Sequence, residues 1–319
     1  MLIDELLKNV NTLAITGHIR PDGDCVGSNL GLYNYVVKNF PEIQVDLFLE
    51  EPQGKLTFIK NIDKINSSYD VDREYDLMIC LDAASLDRIG QAVKYFEKAK
   101  HTINIDHHIS NTKYADENYV NANSSSASET VYGYMDRSKI DRDIAIALYT
   151  GIIFDTGVFK YPLTSPNTMR VAADLMEFGI PTNEIIDDSF YAKSYNENRI
   201  IGDAVVNSVL MYDGRAIYSY VSQEKMKEFG VTQKDLDGIV PQLRLTRGVL
   251  CAFFMYELGP GEYKCSLRST GNFDVNKIAV KYGGGGHVRA SGFNTSGEVQ
   301  DCIDRVMADI KEQLDTYED

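Results

Sequence analysis

Three apolar stretches of this chain each run into a carboxylate or an imidazole at the C-terminal end. TLAITG (12–17) leads into His18 and the loop HIRPDGD, DLMICLD (76–82) stops on Asp82, and HTINID (101–106) stops on Asp106. Short apolar runs bounded in this way are buried strands, and IQVDLFL (43–49) alternates like another. The intervening stretch from Val26 to Asn39 has helical periodicity, with Leu30, Tyr33, Val36 and Val37 on one side. Strands alternating with helices make an α/β domain with a largely parallel sheet flanked by helices. Ligand sites of such sheets gather beyond the carboxyl ends of the strands, where these polar residues fall.

From Ser126 to about Gly179 the chain reads mostly helical, and Ser165-Pro166 starts a helix that runs to Glu177. The second half changes character. Runs 204–211 and 215–222 flank Asp213-Gly214, and 249–257 and 262–269 flank Gly259-Pro260-Gly261, which makes two hairpins. A helix at 274–282, the run Gly283 to Gly286, a strand and a helix at 298–316 follow. The expected organisation is an α/β domain over 1–185, a polar connector at 186–203, and a smaller α+β domain with a mixed or antiparallel sheet over 204–319.

With 47 acidic and 32 basic residues in 319, the net charge is −15, which argues against coating long nucleic acid by phosphate neutralisation. Small anions stay open, because a metal ion or a few arginines reverse a local field. The five cysteines form no CxxC pair, which points to a reducing compartment. The first residues contain no apolar signal region, and no run approaches the ~18 apolar residues of a membrane span. The expectation is a cytoplasmic protein that engages no membrane.

The chain has five histidines, and four of them, His18, His107, His108 and His287, stand beside aspartates or glycines in loop-like positions. Pro21 and Gly23 force a turn that can aim Asp22 and Asp24 inward, although the same turn could serve only to cap the next helix. Asp82 likewise ends a strand or caps a helix. His107 and His108 follow Asp106, and on an extended backbone they point to opposite faces, so one joins a metal and the other is left for substrate. Asp155 lies within the apolar run AIALYTGIIFDTGVF and must be paired, hydrogen-bonded or metal-bound. His18, Asp22, Asp24, Asp82, Asp106, His107 and Asp155 offer only oxygen and imidazole nitrogen. That favours Mn²⁺, Mg²⁺, Co²⁺ or Fe²⁺ over a structural zinc. The carboxylates exceed the needs of one ion, and two ions ~3.5–4 Å apart would generate hydroxide and hydrolyse a phosphate ester or anhydride. In the second half, backbone amides of Gly284, Gly285 and Gly286 can approach an anion, with Arg268 and His287 bonding a phosphate or a base.

Asp106-His107-His108, the upstream HIRPDGD, the isolated Asp82 and the DTG at Asp155 resemble the DHH phosphoesterases, and GGGGHVRASG (283–292) resembles the associated DHHA1 domain. The resemblance spans nearly the whole chain in the expected order. The short two-domain form resembles the bacterial nano-RNase and pAp-phosphatase branch, where pAp is 3′-phosphoadenosine 5′-phosphate. The resemblance implies that His18, Asp22 and Asp82 hold one metal and that Asp24, Asp82, His107 and Asp155 hold a second, with Asp82 bridging. It implies that Asp106 orients its neighbours, that His108 faces the scissile phosphate, and that Arg268 and His287 grip the nucleotide, helped by Arg88 and by Ser125 or Ser126. Ala290-Ser291-Gly292 departs slightly from the family, which often has two alanines there.

The expected activity is two-metal hydroxide attack on phosphorus, with Mn²⁺ favoured over Mg²⁺ or Co²⁺, on short oligoribonucleotides, pAp or both. A cyclic di-AMP or pApA phosphodiesterase would use the same metal residues. A nucleotide-binding sensor without turnover is the reading from another class, and it would be signalled by a missing ligand. Pairing of two copies through the apolar helices at 126–154 fits the pattern too.

Overall fold

The computed structural model describes residues 3–52 and 56–317, and it divides into two compact units between Ala192 and Lys193. Among the described residues the first unit is built on a five-stranded sheet of order β2-β1-β3-β4-β5: Thr12–Thr16 (β1), Gln44–Phe48 (β2), Leu77–Leu81 (β3), Thr102–Asp106 (β4) and Glu117–Val120 (β5). Every pairing in it is parallel. Side chains alternate between faces along each strand. Leu13, Ile15, Ile79, Leu81, Ile103 and Ile105 pack into one layer. Ala14, Met78 and Cys80 join Phe48, Tyr75 and Tyr95 in the other. Burial on both faces explains why these strands read as continuous apolar runs.

Helix α1 (Gly23–Asn39) is capped by Asp22, whose carboxylate accepts from the amides of Asp24 and Cys25. Ser126 caps α2 (Ala127–Tyr132), and Asp141 caps α3 (Arg142–Thr156), which ends on Gly157 at φ 54°. Helix α4 (Pro166–Met176) starts from Ser165 in a reciprocal cap with Thr168. Helices α1 and α3 meet backbone to backbone at Gly27. A Cβ there would lie 2.5 Å from Ala147 O and 2.7 Å from Gly151 N. This approach brings the first turn of α1, with Asp24, beside the last turn of α3, with Asp155. The apolar residues of α3 that were candidates for pairing two copies, among them Ile144, Leu148 and Ile152, are buried in this unit's own core.

Among the described residues the second unit holds a six-stranded mixed sheet of order β10-β11-β9-β8-β7-β6: Val209–Met211 (β6), Ala216–Val221 (β7), Cys251–Gly259 (β8), Glu262–Ser269 (β9), Gly285–His287 (β10) and Ala290–Ser296 (β11). Only the β7–β8 pair within it is parallel. Helix α5 (Tyr195–Val206) covers one face through Ile200 and Ala204, and α7 (Val299–Asp315) covers the other through Cys302, Val306 and Ile310. Between them in sequence, α6 (Val275–Lys281) precedes β10.

Two details differ from the expectation. The segment 186–203 is not an open connector, because Asp187–Tyr191 is a π turn and α5 begins at Tyr195 under a Ser194–Glu197 capping box. The strand expected over 204–211 shortens to β6, because α5 carries the chain helically through Val206.

Candidate metal centre

The C-terminal ends of β1, β3 and β4 and the facing ends of α1 and α3 bring the expected residues together. His18 Nε2 lies 3.4 Å from Asp82 Oδ2 and 3.7 Å from Asp22 Oδ1. His107 Nε2 lies 3.5 Å from Asp82 Oδ1 and 3.2 Å from Asp155 Oδ2. Asp24, His107 and Asp155 offer donor atoms that all lie within 4.8 Å of one another, as do those of Asp82, Asp106, His107 and His108. Asp82 therefore touches both halves of the cluster.

Three of these four separations exceed a good hydrogen bond, and the fourth lies at its limit. Ligand atoms ~2.0–2.2 Å from a common cation stand at about such separations from one another. Asp82 Oδ1 is buried and has no hydrogen-bond partner among the described residues. An ionised carboxylate cannot be left so without a large penalty, and a cation removes it. The residues present could thus hold divalent ions, with His18 and Asp82 in one group of donors and Asp24, His107 and Asp155 in another.

Electrostatics point the same way. Burial would lower the His18 imidazole, but Asp22 and Asp82 outweigh it and carry the group up to about 10. Burial would likewise lower His107, yet Asp82, Asp24 and Asp155 raise it. Asp24 is raised by burial and then by the charge of Asp82, and Asp155 by burial and then by Asp24 and Asp82. Asp155 also stands in the last turn of α3, where the helix dipole disfavours an anion. Without metal, protons compensate this negative cluster.

Each side chain is held by local chemistry. Asp22 caps α1 and keeps its carboxylate beside His18, so the capping and cluster roles coexist. Whatever burial costs Asp22, His18 and the amides of Cys25 and Asp24 hold it below the usual carboxylate range. Asp24 accepts from the amides of Ala127 (2.6 Å) and Ser128 (3.0 Å) at the start of α2. The turn ahead of α2 is tied by Glu129, a buried carboxylate that accepts from the Ser125 amide and from the side chains of Ser125, Asn167 and Thr168. Asp82 adopts φ 53°, a left-handed conformation that aspartate tolerates but that costs about 1–3 kcal/mol. Cys25 Sγ reaches the same region, but burial, then Asp82, pushes its thiol well up, and it faces the His18 carbonyl at 3.8 Å.

His107 and His108 do not point to opposite faces. Strand β4 stops at Asp106, so the alternation stops there, and the two rings lie 4.6 Å apart. His108 Nδ1 is 2.8 Å from Asp106 Oδ1 and 3.6 Å from Asp82 Oδ1, with its side chain 41% exposed. Bonding to Asp106 raises the His108 imidazole. Asp106, although buried, is lowered by bonds from His108 and Asn111.

The helper residues divide. Arg88 is exposed, and its carbonyl accepts from the amide of Ile19, beside the His18 loop. Ser126 is fully buried, with its hydroxyl occupied by the Glu129 amide. In the second unit, His287 pairs with Ala290 and Ala290 with Arg268, so the three share one cross-strand row. The glycines have a structural cause that the sequence reading missed. A Cβ at Gly284 would lie 2.3 Å from Gly292 O, and one at Gly286 (φ 148°) 2.5 Å from Ala290 O, so β10 and β11 close up only without side chains there. Gly285 is exposed. Ser291, at the departure from the family pattern, donates to the His287 carbonyl at 2.8 Å.

A buried carboxylate–imidazole cluster at the carboxyl ends of parallel strands is a site of the metal-binding class. The family model described as "DHH family, N-terminal domain" matches residues 12–152, and that described as "DHHA1 domain" matches residues 213–316. A Streptococcus mutans protein named "Probable bifunctional oligoribonuclease and PAP phosphatase NrnA" is 30% identical over 294 residues, covering 91% of each chain. The chain belongs to the DHH family. A Thermus thermophilus protein named "Bifunctional oligoribonuclease and PAP phosphatase NrnA" is 29% identical over 319 residues, covering 98% of this chain and 94% of that one. The crystal structure of an exopolyphosphatase-related protein from Bacteroides fragilis matches at TM-score 0.84 and 25% identity, covering 98% of this chain and 94% of that one. No helix among the described residues is long and apolar enough to cross a membrane.

Proposed function

We propose that this chain is a cytoplasmic metal-dependent phosphohydrolase that cleaves short oligoribonucleotides and pAp. The observation that carries the reading is the clustering of His18, Asp22, Asp24, Asp82, His107 and Asp155, in which Asp82 Oδ1 is buried without a hydrogen-bond partner among the described residues. Relatives named for these two activities match over nearly the whole length.

Two divalent cations, with Mn²⁺ preferred and Mg²⁺ or Co²⁺ as alternatives, would supply an activated water at neutral pH and neutralise phosphoryl charge. The chain's own residues do the rest. Asp82 would join the two ligand groups and hold both in one frame. Asp106 fixes the His108 ring through Nδ1, which leaves Nε2 to donate to a phosphoryl oxygen or to the departing ribose oxygen. The Asp106 bond raises the His108 imidazole and so favours its charged form, a donor that strengthens as the phosphoryl oxygens gain charge. Arg268, His287 and the Gly284–Gly286 backbone in the second unit would hold the nucleotide end, with Arg88 in the first unit as a helper. The acidic surface favours substrates of a few nucleotides over long strands.

The test is Asp82→Asn, which keeps the shape and a residue tolerant of the left-handed backbone while removing the charge. Hydrolysis of pAp should fall by roughly 10³-fold or more, since losing even one charge-stabilising donor costs ~10²–10³, with circular dichroism unchanged. Retained activity would remove Asp82 from the centre of the site.

A further inference from the structure

Behind the cluster lies a pair of carboxamides to which no role has been assigned above. Asn104 sits inside β4, fully buried among apolar neighbours. A buried amide there needs partners for both of its hydrogens and for its oxygen. Its amide nitrogen donates among three acceptors, the carbonyls of Cys80 (3.1 Å) and Ala83 (3.3 Å) and the Tyr114 hydroxyl (3.2 Å). Those carbonyls flank the step at which the backbone leaves β3 with Asp82 at φ 53°. The paired register between β3 and β4 ends at Leu81 and Ile105, so the carbonyl of Ala83 lies beyond the ladder. The Asn104 oxygen accepts from Asn111 Nδ2 at 2.7 Å. The same Asn111 nitrogen reaches Asp106 Oδ2 at 2.6 Å, and the other Asp106 oxygen holds His108. A continuous set of hydrogen bonds thus joins the Asp82 turn to the Asp106–His108 pair.

We propose that Asn104 and Asn111 are positioning residues for the reaction: Asn104 clamps the left-handed turn that presents Asp82, and Asn111 holds that clamp through the Asn104 oxygen while it locks Asp106 and through it His108. The arrangement needs two donors at one end of residue 104 and an acceptor at the same amide. Aspartate, leucine and alanine all fail this requirement, although the first two match asparagine closely in size. The inference rests on the metal-dependent reading of this same cluster.

The test uses full-length Asn111→Ala, which alters a partly exposed residue, and Asn104→Ala. Asn118→Ala is the control, because its amide only bridges the backbone of Ala115. Mn²⁺ affinity is measured by calorimetry and pAp turnover by steady-state kinetics. Expected are a 10–100-fold weaker Mn²⁺ affinity and a comparable loss in kcat for Asn111→Ala, with Asn118→Ala unchanged in both. If Asn104→Ala fails to fold, Asn111→Ala decides alone. Wild-type Mn²⁺ affinity in Asn111→Ala, or an equal loss in Asn118→Ala, overturns the proposal. So does a wild-type protein that binds no Mn²⁺. A wild-type protein that binds Mn²⁺ yet cleaves no nucleotide refutes the proposed activity and leaves the affinity comparison to judge the asparagines.

Discussion

Replacing Gly27 by alanine tests whether helix packing sets the metal geometry. The added Cβ would fall 2.5 Å from Ala147 O, 2.7 Å from Gly151 N and 3.0 Å from Gly151 Cα, all of them backbone atoms. Carbon contacts settle at about 3.5–4.0 Å, so α1 and α3 must part by about 1 Å. Overpacking of this kind costs about 1–3 kcal/mol. Alanine returns about 0.5–1 kcal/mol of helix propensity, which leaves a net loss of about 1–2 kcal/mol. For a unit of this size that lowers Tm by about 2–8 °C. The same shift moves Asp24 on α1 away from Asp155 on α3, and a displacement of ~1 Å can cost ~10²-fold in rate. Differential scanning calorimetry with and without Mn²⁺, beside pAp turnover, reads both effects. The control is Gly202→Ala, an exposed position in α5 where a Cβ meets nothing within 4 Å. It should stabilise the second unit by about 0.5–1 kcal/mol. A Gly27→Ala protein as stable and as active as wild type would refute the reasoning.

Other outcomes follow from the site. His108→Gln should lower kcat by ~10²–10³ while Mn²⁺ affinity, measured by calorimetry, stays within a few-fold. Arg268→Ala should raise KM for pAp by roughly tenfold or more with Mn²⁺ affinity unchanged, and an unaltered KM would remove it from the substrate site. In the metal-free protein His18 is raised from 6.5 to about 10. Its charge interactions with Asp22 and Asp82 therefore add stability that is fully present below pH 6.5 and lost as pH climbs through about 10. Metal must displace that proton, so Mn²⁺ affinity should rise about tenfold per pH unit for each proton released, and calorimetry in buffers of different ionisation enthalpy should detect the release. An affinity flat between pH 6 and 8 would contradict the protonated cluster.

The strand-terminal carboxylates were legible because burial on both sheet faces leaves few reasons for a charge except at a strand end. Asp155 was legible for the same reason in a helix. What escaped notice depends on tertiary contact. Nothing local signals that Asp82 turns left-handed, or that Gly284 and Gly286 are required by the approach of β11 rather than by an anion alone. The reading of His107 and His108 failed because it extended strand alternation past the last residue of β4. Two features were visible in principle. Ser194 and Glu197 are spaced as a capping box inside the expected connector, and Asn104 is a polar residue in the apolar run TINID that had to find partners.

The measurement that tests the central claim most directly is turnover by the full-length protein with Mn²⁺ of pAp, a very short RNA, pApA, cyclic di-AMP and pyrophosphate, run beside Asp82→Asn. The account predicts that pAp and short RNA are cleaved fastest and that the variant abolishes both. Preference for the adenine dinucleotides would move the activity to second-messenger hydrolysis, and no turnover with Mn²⁺ bound would contradict it outright.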